Sequence, residues 1–351
     1  MTKEQLQDKC RGSLVGGAIG DAFGYPVEFI NSFEKIRAKY GEEGITEYDK
    51  SYPWLEDYLR HYKALFSDDT QMTLYTAESL IESSKRGTPL MPTMCNAYIA
   101  WYGPQIGKKV IAGYNSKLAK IEELNQRRAP GNTCLTALND IYNGHESHNA
   151  SKGCGGVMRI APIGIFGATH GWSLEKTGKI AGETAELTHK HKMSTFASAT
   201  QAMIIQSCIL AEEPITSEAF KSIVEDSLAK LPEMYPGYDS LLDEFEKLIH
   251  KAIRLEDNIL RDWEIIENGL GGGWVAEETL AISIFSVLRH INDFKGCMIC
   301  AVNHGGDSDS TGAVAGNIIG AILGYDAIPY DFTKSLQLHD LIVEMADELI
   351  C

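Results

Sequence analysis

The stretch NHGGDSDSTGAVAGNIIGAILG, residues 303–324, decides the fold of this chain. After its glycines and aspartates it becomes a run of small and apolar residues that predicts a buried helix. Asp307, Asp309 and Ser310 stand at the start of that helix, where acidic side chains cap free N–H groups and meet the positive end of the helix dipole. Two carboxylates beside a hydroxyl also suit a hard cation such as Mg²⁺. Capping is the simpler interpretation of this stretch alone, although it needs only one of the aspartates.

A second segment of the same kind, FSDDTQMTLYTAESLI, begins at residue 66. Ser67, Asp68 and Asp69 precede its helical residues, and neighbours one or two apart do not share a helix face. We therefore expect these side chains to lie in a turn around one point, with the helix behind them. If the two turns meet, their carboxylates and hydroxyls can hold a pair of metal ions, whereas without metal the like charges would raise some pKa values sharply. The repetition favours a metal site.

Glycine recurs every four residues in two predicted helices, one at residues 3–24 and one in the stretch quoted above. The two rows are Gly12, Gly16, Gly20 and Gly24, and Gly312, Gly316, Gly320 and Gly324. An interior glycine costs a helix roughly 1 kcal/mol against alanine, so a row of them needs a compensating contact. A ridge without side chains lets another backbone approach closely. We predict two central helices packed against each other, and the alternative is ordinary packing against separate neighbours.

Composition limits the class of protein. The chain has 351 residues, a formal net charge of −16 and no basic patch, which argues against nucleic acid or an anionic membrane as a partner. Cys297 and Cys300 form a lone CxxC without the further ligands that zinc needs, so we interpret them as packed thiols. No apolar run reaches the ~18–20 residues that span a bilayer, and we find no signal-peptide core. We expect a soluble cytoplasmic protein.

Helical periods dominate the remaining chain, and alternating strand patterns are nearly absent. We therefore predict an all-α fold, a compact multi-helix single domain over residues 1–351. Residues 31–66 are interpreted as a long loop or short helices. Further helices are predicted at residues 70–86, 93–102, 114–126 and 133–143, in two segments of 174–211, across 214–268, after 274 and at 335–350.

A glycine-rich loop lies in the segment SKGCGGVMRIAP, residues 151–162. Gly153, Gly155 and Gly156 leave bare backbone N–H groups that can cradle a phosphate or lie against a ribose. A loop of this kind taken alone is more often a tight turn, and no Gly-Lys-Ser/Thr follows to make it a P-loop.

Two single residues are candidates for ligand contact. Glu28 follows an apolar residue and precedes another, so it is either a half-buried carboxylate with a raised pKa or a solvated loop residue. His189 and His191 are two apart and do not share a helix face, which argues against a zinc pair. His189 is the better candidate for a ligand contact.

Taken together, these segments resemble the ADP-ribosylglycohydrolase family. The matching pieces, in the family's order, are GSLVGGAIGDAFGYPVEF (12–29), FSDDT (66–70), GCGGVMRIAPIG (153–164), ELTH (186–189), GGGWVAEETLAISIFSVLRH (271–290) and GGDSDSTGAVAGNIIG (305–320). The resemblance implies a compact all-α fold with two Mg²⁺ ions, for which Mn²⁺ can substitute. It also implies an enzyme that hydrolyses the bond between ADP-ribose and an arginine or serine side chain of an ADP-ribosylated protein, or a bond in a small ADP-ribosyl substrate.

The resemblance assigns roles to individual residues. Those that resemble the two metal-binding turns are Ser67, Asp68, Asp69, Asp307, Asp309 and Ser310. Those that resemble the substrate-binding loop are Gly153, Cys154, Gly155, Gly156 and Met158. His189 resembles a residue close to bound ADP-ribose, and Glu28 resembles the glutamate near the scissile ribose. The candidates for the catalytic base are Glu28, Asp69 and Asp307.

Two positions depart from the family pattern, and two other classes of function stay open. Cys154 stands where relatives often have Asn, which alters hydrogen bonding to substrate, and Ser310 stands where Thr is common but keeps the hydroxyl. One alternative is an ADP-ribose-binding or interaction protein that retains the fold without turnover. The other is a metal-dependent phosphohydrolase, which would release phosphate rather than ADP-ribose.

Overall fold

The computed structural model describes residues 1–50, 63–108 and 115–351. Its helices, in chain order, are α1 (Lys3–Gly24), α2 (Phe33–Tyr40), α3 (Asp68–Arg86), α4 (Leu90–Gln105), α5 (Asn132–Tyr142), α6 (Ala161–Thr169), α7 (Leu174–Glu186), α8 (Lys192–Leu210), α9 (Ser217–Leu228), α10 (Leu231–Met234), α11 (Asp239–Arg254), α12 (Asp262–Ile265), α13 (Ala276–Arg289), α14 (Phe294–Val302), α15 (Ser308–Leu323), α16 (Tyr330–Ser335) and α17 (His339–Glu348). Within these ranges the only β-structure is two isolated bridges. The predicted all-α class is confirmed.

Helices α1 and α15 pack against each other, backbone to backbone, in the centre of the molecule. A methyl group added at Gly20 would lie 1.9 Å from the carbonyl oxygen of Gly312, and one added at Gly316 would lie 2.1 Å from that of Gly16. The first row of glycines therefore meets the second in reverse order, which makes the helices antiparallel. The predicted contact between the two rows is confirmed, and it explains why glycine is tolerated inside both helices.

The antiparallel contact brings the end of α1 to the start of α15. A methyl group added at Gly24, the last residue of α1, would lie 2.1 Å from the carbonyl oxygen of Ser308. Helices α8, α13 and α14 pack around α15, and Asp309 and Ser310 in its first turn line a cavity. The acidic residues of the 303–324 stretch are thus held beside the loop that follows α1.

One local prediction needs correction, and another lies partly outside the described residues. Residues 114–126 do not form one helix: residue 114 lies outside the described residues, and the rest forms 3₁₀ turns at Leu118–Lys120 and Glu122–Asn125. The reason is Glu78 of α3, whose carboxylate accepts the backbone N–H groups of Lys117 and Leu118 and so ties this segment to another helix. In the 31–66 segment, the described part contains one short helix, α2, while residues 51–62 lie outside the described residues.

One other prediction from the sequence agrees with the structure. Cys297 and Cys300 are buried free thiols of α14, as expected for packed cysteines. Among the described residues, no helix combines the length and the apolar character needed to cross a membrane.

We expect Gly316→Ala to lower the free energy of unfolding by about 1–3 kcal/mol. The added methyl would collide with the backbone of α1, which cannot move aside as a flexible side chain can. This loss should exceed the roughly 1 kcal/mol that alanine contributes through its helix propensity. Chemical denaturation of the two proteins measures the difference.

The matched control is Gly269→Ala, because a methyl there would lie 3.5 Å from its nearest neighbour, Leu255 Cδ1, at ordinary contact distance. Its effect should stay within about 0.5 kcal/mol. Equal stability of the two alanine variants would contradict the close contact between α1 and α15.

Candidate active site

The two acidic turns meet in one cavity. Ser310 Oγ, at the start of α15, donates a hydrogen bond of 2.7 Å to Asp69 Oδ2, at the start of α3. Carboxylate oxygens of Glu28, Asp307 and Asp309 all lie within 4.8 Å of one another. These side chains line a cavity of about 200 Å³. The two N-terminal turns therefore form one acidic centre, which Glu28 joins from the loop after α1.

Helix capping accounts for only part of this arrangement. Ser67 is the N-cap of α3, and its hydroxyl accepts the N–H of Asp69 at 3.2 Å. Asp68 and Asp69 belong to the first turn of α3 itself, and not to a turn before it as predicted. Asp307 is the N-cap of α15, but its side chain accepts no capping hydrogen bond. Capping of α15 therefore does not occupy the carboxylate of Asp307.

The carboxylates of the cavity are buried without a cationic side chain. Asp68, Asp69, Asp307 and Asp309 are at most 4% exposed, and no Lys or Arg of the described ranges lines the cavity. Burial, and next the charge of Asp309, raises the pKa of Asp68, Asp69 and Asp307 well above its ordinary value. Carboxylates this close repel one another when ionised. The set therefore fits a divalent cation with oxygen ligands.

Glu28 is buried, so the alternative of a solvated loop residue is wrong. It is 7% exposed, and its Oε2 has no hydrogen-bond partner among the described residues. Burial, followed by the charges of Asp309 and Asp307, raises the pKa of Glu28 far above its ordinary value. An unpartnered buried carboxylate oxygen is costly, and a proton, a cation or a ligand donor would satisfy it.

The glycine-rich loop forms another wall of the cavity. The N–H of Cys154 donates to the carbonyl of Trp274 at 3.2 Å, and its Sγ donates to Asp307 Oδ2 at 2.7 Å. Met158 and His189 also line the cavity. Gly156 instead faces α8, where an added methyl would lie 2.2 Å from Ser194 Oγ. Of the predicted loop residues, Gly156 therefore supports the loop from behind and the others face the cavity.

The model of the family described as ADP-ribosylglycohydrolase matches residues 2–350. The chain belongs to this family. It is 24% identical over 345 residues to the ADP-ribosyl-[dinitrogen reductase] glycohydrolase of Rhodospirillum rubrum, covering 96% of this chain and 93% of that one. It is 25% identical over 349 residues to human ADP-ribosylhydrolase ARH3, covering 93% and 88%. It is 23% identical over 354 residues to ADP-ribosylarginine hydrolase Tri1 of Pseudomonas putida, covering 99% and 80%.

A solved structure titled "ADP-ribosylglycohydrolase-related protein complex" aligns with a TM-score of 0.67 at 22% identity, covering 99% of this chain and 98% of that one. This likeness concerns the fold. Together with the family match it confirms the all-α architecture and the predicted membership. The family is one of glycosidic-bond hydrolases, so the prediction that the chain is an enzyme is confirmed at this level, and its acidic cavity is able to bind a metal.

Asp21 of α1 holds the first acidic turn in place, and sequence analysis gave it no role. It is fully buried, and its carboxylate accepts the N–H of Ser67 at 2.7 Å and the N–H and hydroxyl of Thr70 at 2.9 and 2.6 Å. Burial, and next the charge of Asp309, raises the pKa of Asp21 to about 7. Its position in the sequence, just before the end of a glycine-rich helix, was the available signal.

The mouth of the cavity contains further residues that the sequence did not single out. Trp274 is 46% exposed, lines the cavity and stacks on Phe29 with ring centroids 6.2 Å apart. Gly131 and Asn132 at the start of α5 also line it, and the N–H of Gly131 donates to Asp68 Oδ2 at 3.3 Å. Both segments look like ordinary turns in sequence, because nothing local reveals which cavity a turn faces.

A second group of potential metal ligands has a different explanation. Atoms of Asp262, His290 and Cys300 lie within 4.8 Å of one another. The Asp262 carboxylate already accepts Arg289 Nε at 2.9 Å and pairs with His290 Nε2 at 3.0 Å. This group is an ion-pair network that joins α12 to α13, and its guanidinium makes it unsuitable for a cation.

We expect Asp21→Ala to lower the free energy of unfolding by about 2 kcal/mol or more, because it leaves buried backbone N–H groups of Ser67 and Thr70 without an acceptor. Asp8→Ala is the control on the same helix: Asp8 accepts the N–H of Asp326 at 2.9 Å at an exposed site, and its loss should cost less than about 1 kcal/mol. Chemical denaturation compares the two. An Asp21→Ala protein as stable as the control would mean that Asp21 does not hold the turn.

Proposed function

We propose that this protein is a Mg²⁺-dependent hydrolase, with Mn²⁺ as a possible substitute, that releases free ADP-ribose from an arginine or serine side chain of a modified protein. The observation that carries the proposal is the convergence of buried carboxylates from α3, α15 and the loop after α1 on one cavity walled by a glycine-rich loop. The names of the relatives support the substrate class, since one acts on ADP-ribosyl-[dinitrogen reductase] and another on ADP-ribosylarginine.

The residues that would hold the metal ions are those of the two acidic turns, Ser67, Asp68, Asp69, Asp307, Asp309 and Ser310. All of them except Ser67 line the cavity, and the Ser67 hydroxyl caps α3 behind it. Bound divalent ions supply positive charge that orients ribose hydroxyls and a water molecule and stabilises developing negative charge. The protein would hold the ligand oxygens of the two acidic turns in place. Asp21 holds the first turn by its backbone, and the packing of α1 on α15 holds the second.

Glu28 is the carboxylate best placed to move a proton in this reaction. One oxygen of Asp69 accepts Ser310 Oγ, and one oxygen of Asp307 accepts Cys154 Sγ. Glu28 Oε2, by contrast, is unpartnered and lies in the same cavity. Burial, and next the charges of Asp309 and Asp307, raises the pKa of Glu28 far above its ordinary value, so this carboxyl group holds a proton more readily than a solvated glutamate. We assign proton transfer to Glu28 and leave Asp69 and Asp307 as ligands.

The glycine-rich loop and the start of α5 would bind the nucleotide part of the substrate. Gly153 and Gly155 present backbone to the cavity without a side chain in between, so a diphosphate or ribose can approach the N–H of Gly155 closely. The N–H groups of Gly153 and Cys154 already donate to Ser151 Oγ and to the carbonyl of Trp274. Met158 supplies an apolar contact. Because the cavity has no Lys or Arg among the described residues, its donors to an anionic substrate are uncharged: backbone N–H groups, His189 and polar side chains of the lining such as Asn132 and Trp274.

We expect Asp309→Asn to abolish metal-dependent release of ADP-ribose, because it removes a carboxylate at the centre of the acidic cluster. The assay measures free ADP-ribose from ADP-ribosyl-arginine and ADP-ribosyl-serine peptides, each with Mg²⁺ and with EDTA. Asp331→Asn is the matched control, since Asp331 is exposed and lies far from the cavity, and it should retain full activity.

The products decide among the three classes of function. Release of ADP-ribose from one peptide identifies the hydrolase and its linkage. Release of inorganic phosphate instead would make the protein a phosphohydrolase. Tight binding of ADP-ribose with no turnover of either peptide would favour the binding protein, and full activity of Asp309→Asn would refute the acidic centre as the site.

We expect Glu28→Gln to lower kcat about 10²–10⁴-fold while the thermal stabilisation by Mg²⁺ or Mn²⁺ is retained. The amide keeps the shape of the side chain but cannot transfer the proton. Thermal denaturation with and without metal, beside the activity assay, separates the two effects. Loss of metal stabilisation in Glu28→Gln would mean that Glu28 is a ligand rather than the proton-transfer group.

A further inference from the structure

A positively charged side chain is buried directly behind the glycine-rich loop without an acidic partner. Arg159 has no exposed surface, and no ion pair joins it to a carboxylate of the described ranges. One terminal nitrogen donates to the carbonyl of Thr184 at 3.2 Å and to Thr188 Oγ1 at 2.7 Å, and the other lies 3.7 Å from Cys134 Sγ. Burying a charge without an acidic partner costs free energy.

Thr188 connects this guanidinium to the cavity. Its Oγ1 accepts Arg159 and also lies 2.9 Å from His189 Nδ1. Arginine can only donate, so one lone pair of the hydroxyl is occupied and the hydroxyl hydrogen is left to donate. The positive charge of Arg159 favours a lone pair over an N–H on the side of the ring that faces it. Both effects favour an Nδ1 that accepts from Thr188 and an Nε2 that carries the hydrogen.

The other side of the ring faces the glycine-rich loop. A methyl group added at Gly153 would lie 3.3 Å from His189 Nε2, and one added at Gly155 would lie 3.2 Å from it. His189 lines the cavity, and its Nε2 has no hydrogen-bond partner among the described residues. The ring is 2% exposed. Burial, and next the charge of Arg159, lowers the pKa of His189 to about 3, so the ring is neutral at neutral pH.

We propose that Arg159 and Thr188 are positioning residues that hold His189 as a neutral Nε2–H donor aimed at an acceptor atom of the nucleotide ligand. Neither touches the ligand; they act through the imidazole, as a hydrogen bond to one ring nitrogen sets what the other can do. That the acceptor belongs to ADP-ribose rests on the proposed function. The position of the hydrogen on the His189 ring does not rest on the proposed function, because it follows from contacts within the protein alone.

A second arrangement of the hydrogen bonds between Thr188 and His189 competes with this one. Thr188 Oγ1 would accept from both Arg159 and an Nδ1–H, while its own hydrogen turned to the Cys134 thiol. Burial raises the pKa of that thiol, and a hydrogen bond with Thr188 acts in the opposite direction. His189 Nε2 would then present a lone pair to the cavity and select a donor on the ligand. The two arrangements predict opposite protonation of the two ring nitrogens.

The first test is ¹⁵N NMR of the full chain labelled at histidine, at neutral pH, with the His189 signals identified by their loss in His189→Gln. We expect a protonated Nε2 and an unprotonated Nδ1 in the unsubstituted protein. The reverse pattern, or a doubly protonated ring, overturns the proposal. This measurement needs no substitution at Thr188 and no turnover.

The second test compares Thr188→Val, which keeps the shape but removes the hydroxyl, with Thr188→Ser, which restores it. Thr188→Val should mix the two ring forms and raise the Kd for ADP-ribose about fivefold, as expected for loss of one well-placed hydrogen bond. Thr188→Ser should keep the ring form and a Kd within about twofold of the original. Stabilisation by Mn²⁺ should be the same in all three proteins, because the acidic turns are unchanged.

The outcomes separate this inference from the proposed function. An Nε2–H ring in a protein that does not bind ADP-ribose supports the positioning role and counts against ADP-ribose as ligand. A Thr188→Val protein with an unchanged ring form and unchanged Kd overturns the positioning role, even if the enzyme is active. If Thr188→Val does not fold, the ring form of the unsubstituted protein and of Thr188→Ser decides.

Discussion

The backbone contact between α1 and α15 is the constraint on which the rest of the structure depends. Carbonyl oxygens of each helix occupy the space where side chains of the other would be, at Gly16 and Gly316 as at the neighbouring pairs. Because backbone cannot repack as side chains do, the register and direction of the two helices are fixed together. The end of α1 must then lie beside the start of α15, and the cavity forms at that junction.

The rigid contact between α1 and α15 also holds the acidic centre in place. Carboxylates that would repel one another are held close because each is anchored to a helix that cannot withdraw: Asp309 by α15, and the first turn by Asp21 of α1. Glu28 is different, since it comes from the loop after α1 and leaves one oxygen unpartnered. The site thus combines carboxylates that are fixed by two helices with one that comes from a loop and has an unpartnered oxygen.

Sequence patterns predicted the features that repeat. The four-residue spacing of glycine predicted the central contact, and the repeated Ser/Asp cluster favoured a metal site on the condition that the two turns meet. The pattern could not show Asp21, since a hydrogen bond between distant segments leaves no local periodicity, nor that Glu78 would draw residues 117–118 out of a helix. Trp274 was likewise found only by its place in space. The roles of the site residues, the single domain and the cytoplasmic location stay predictions.

The central helix pair also bears on how the chain is made. One row of glycines lies near the N-terminus and the other near the C-terminus, so α1 leaves the ribosome long before α15 exists. Until then its glycine ridge has no partner, and contacts between such distant segments form late because closing a long loop costs entropy. A chain that ends before α15 would therefore lack both the central contact and the side chains of Asp307, Asp309 and Ser310.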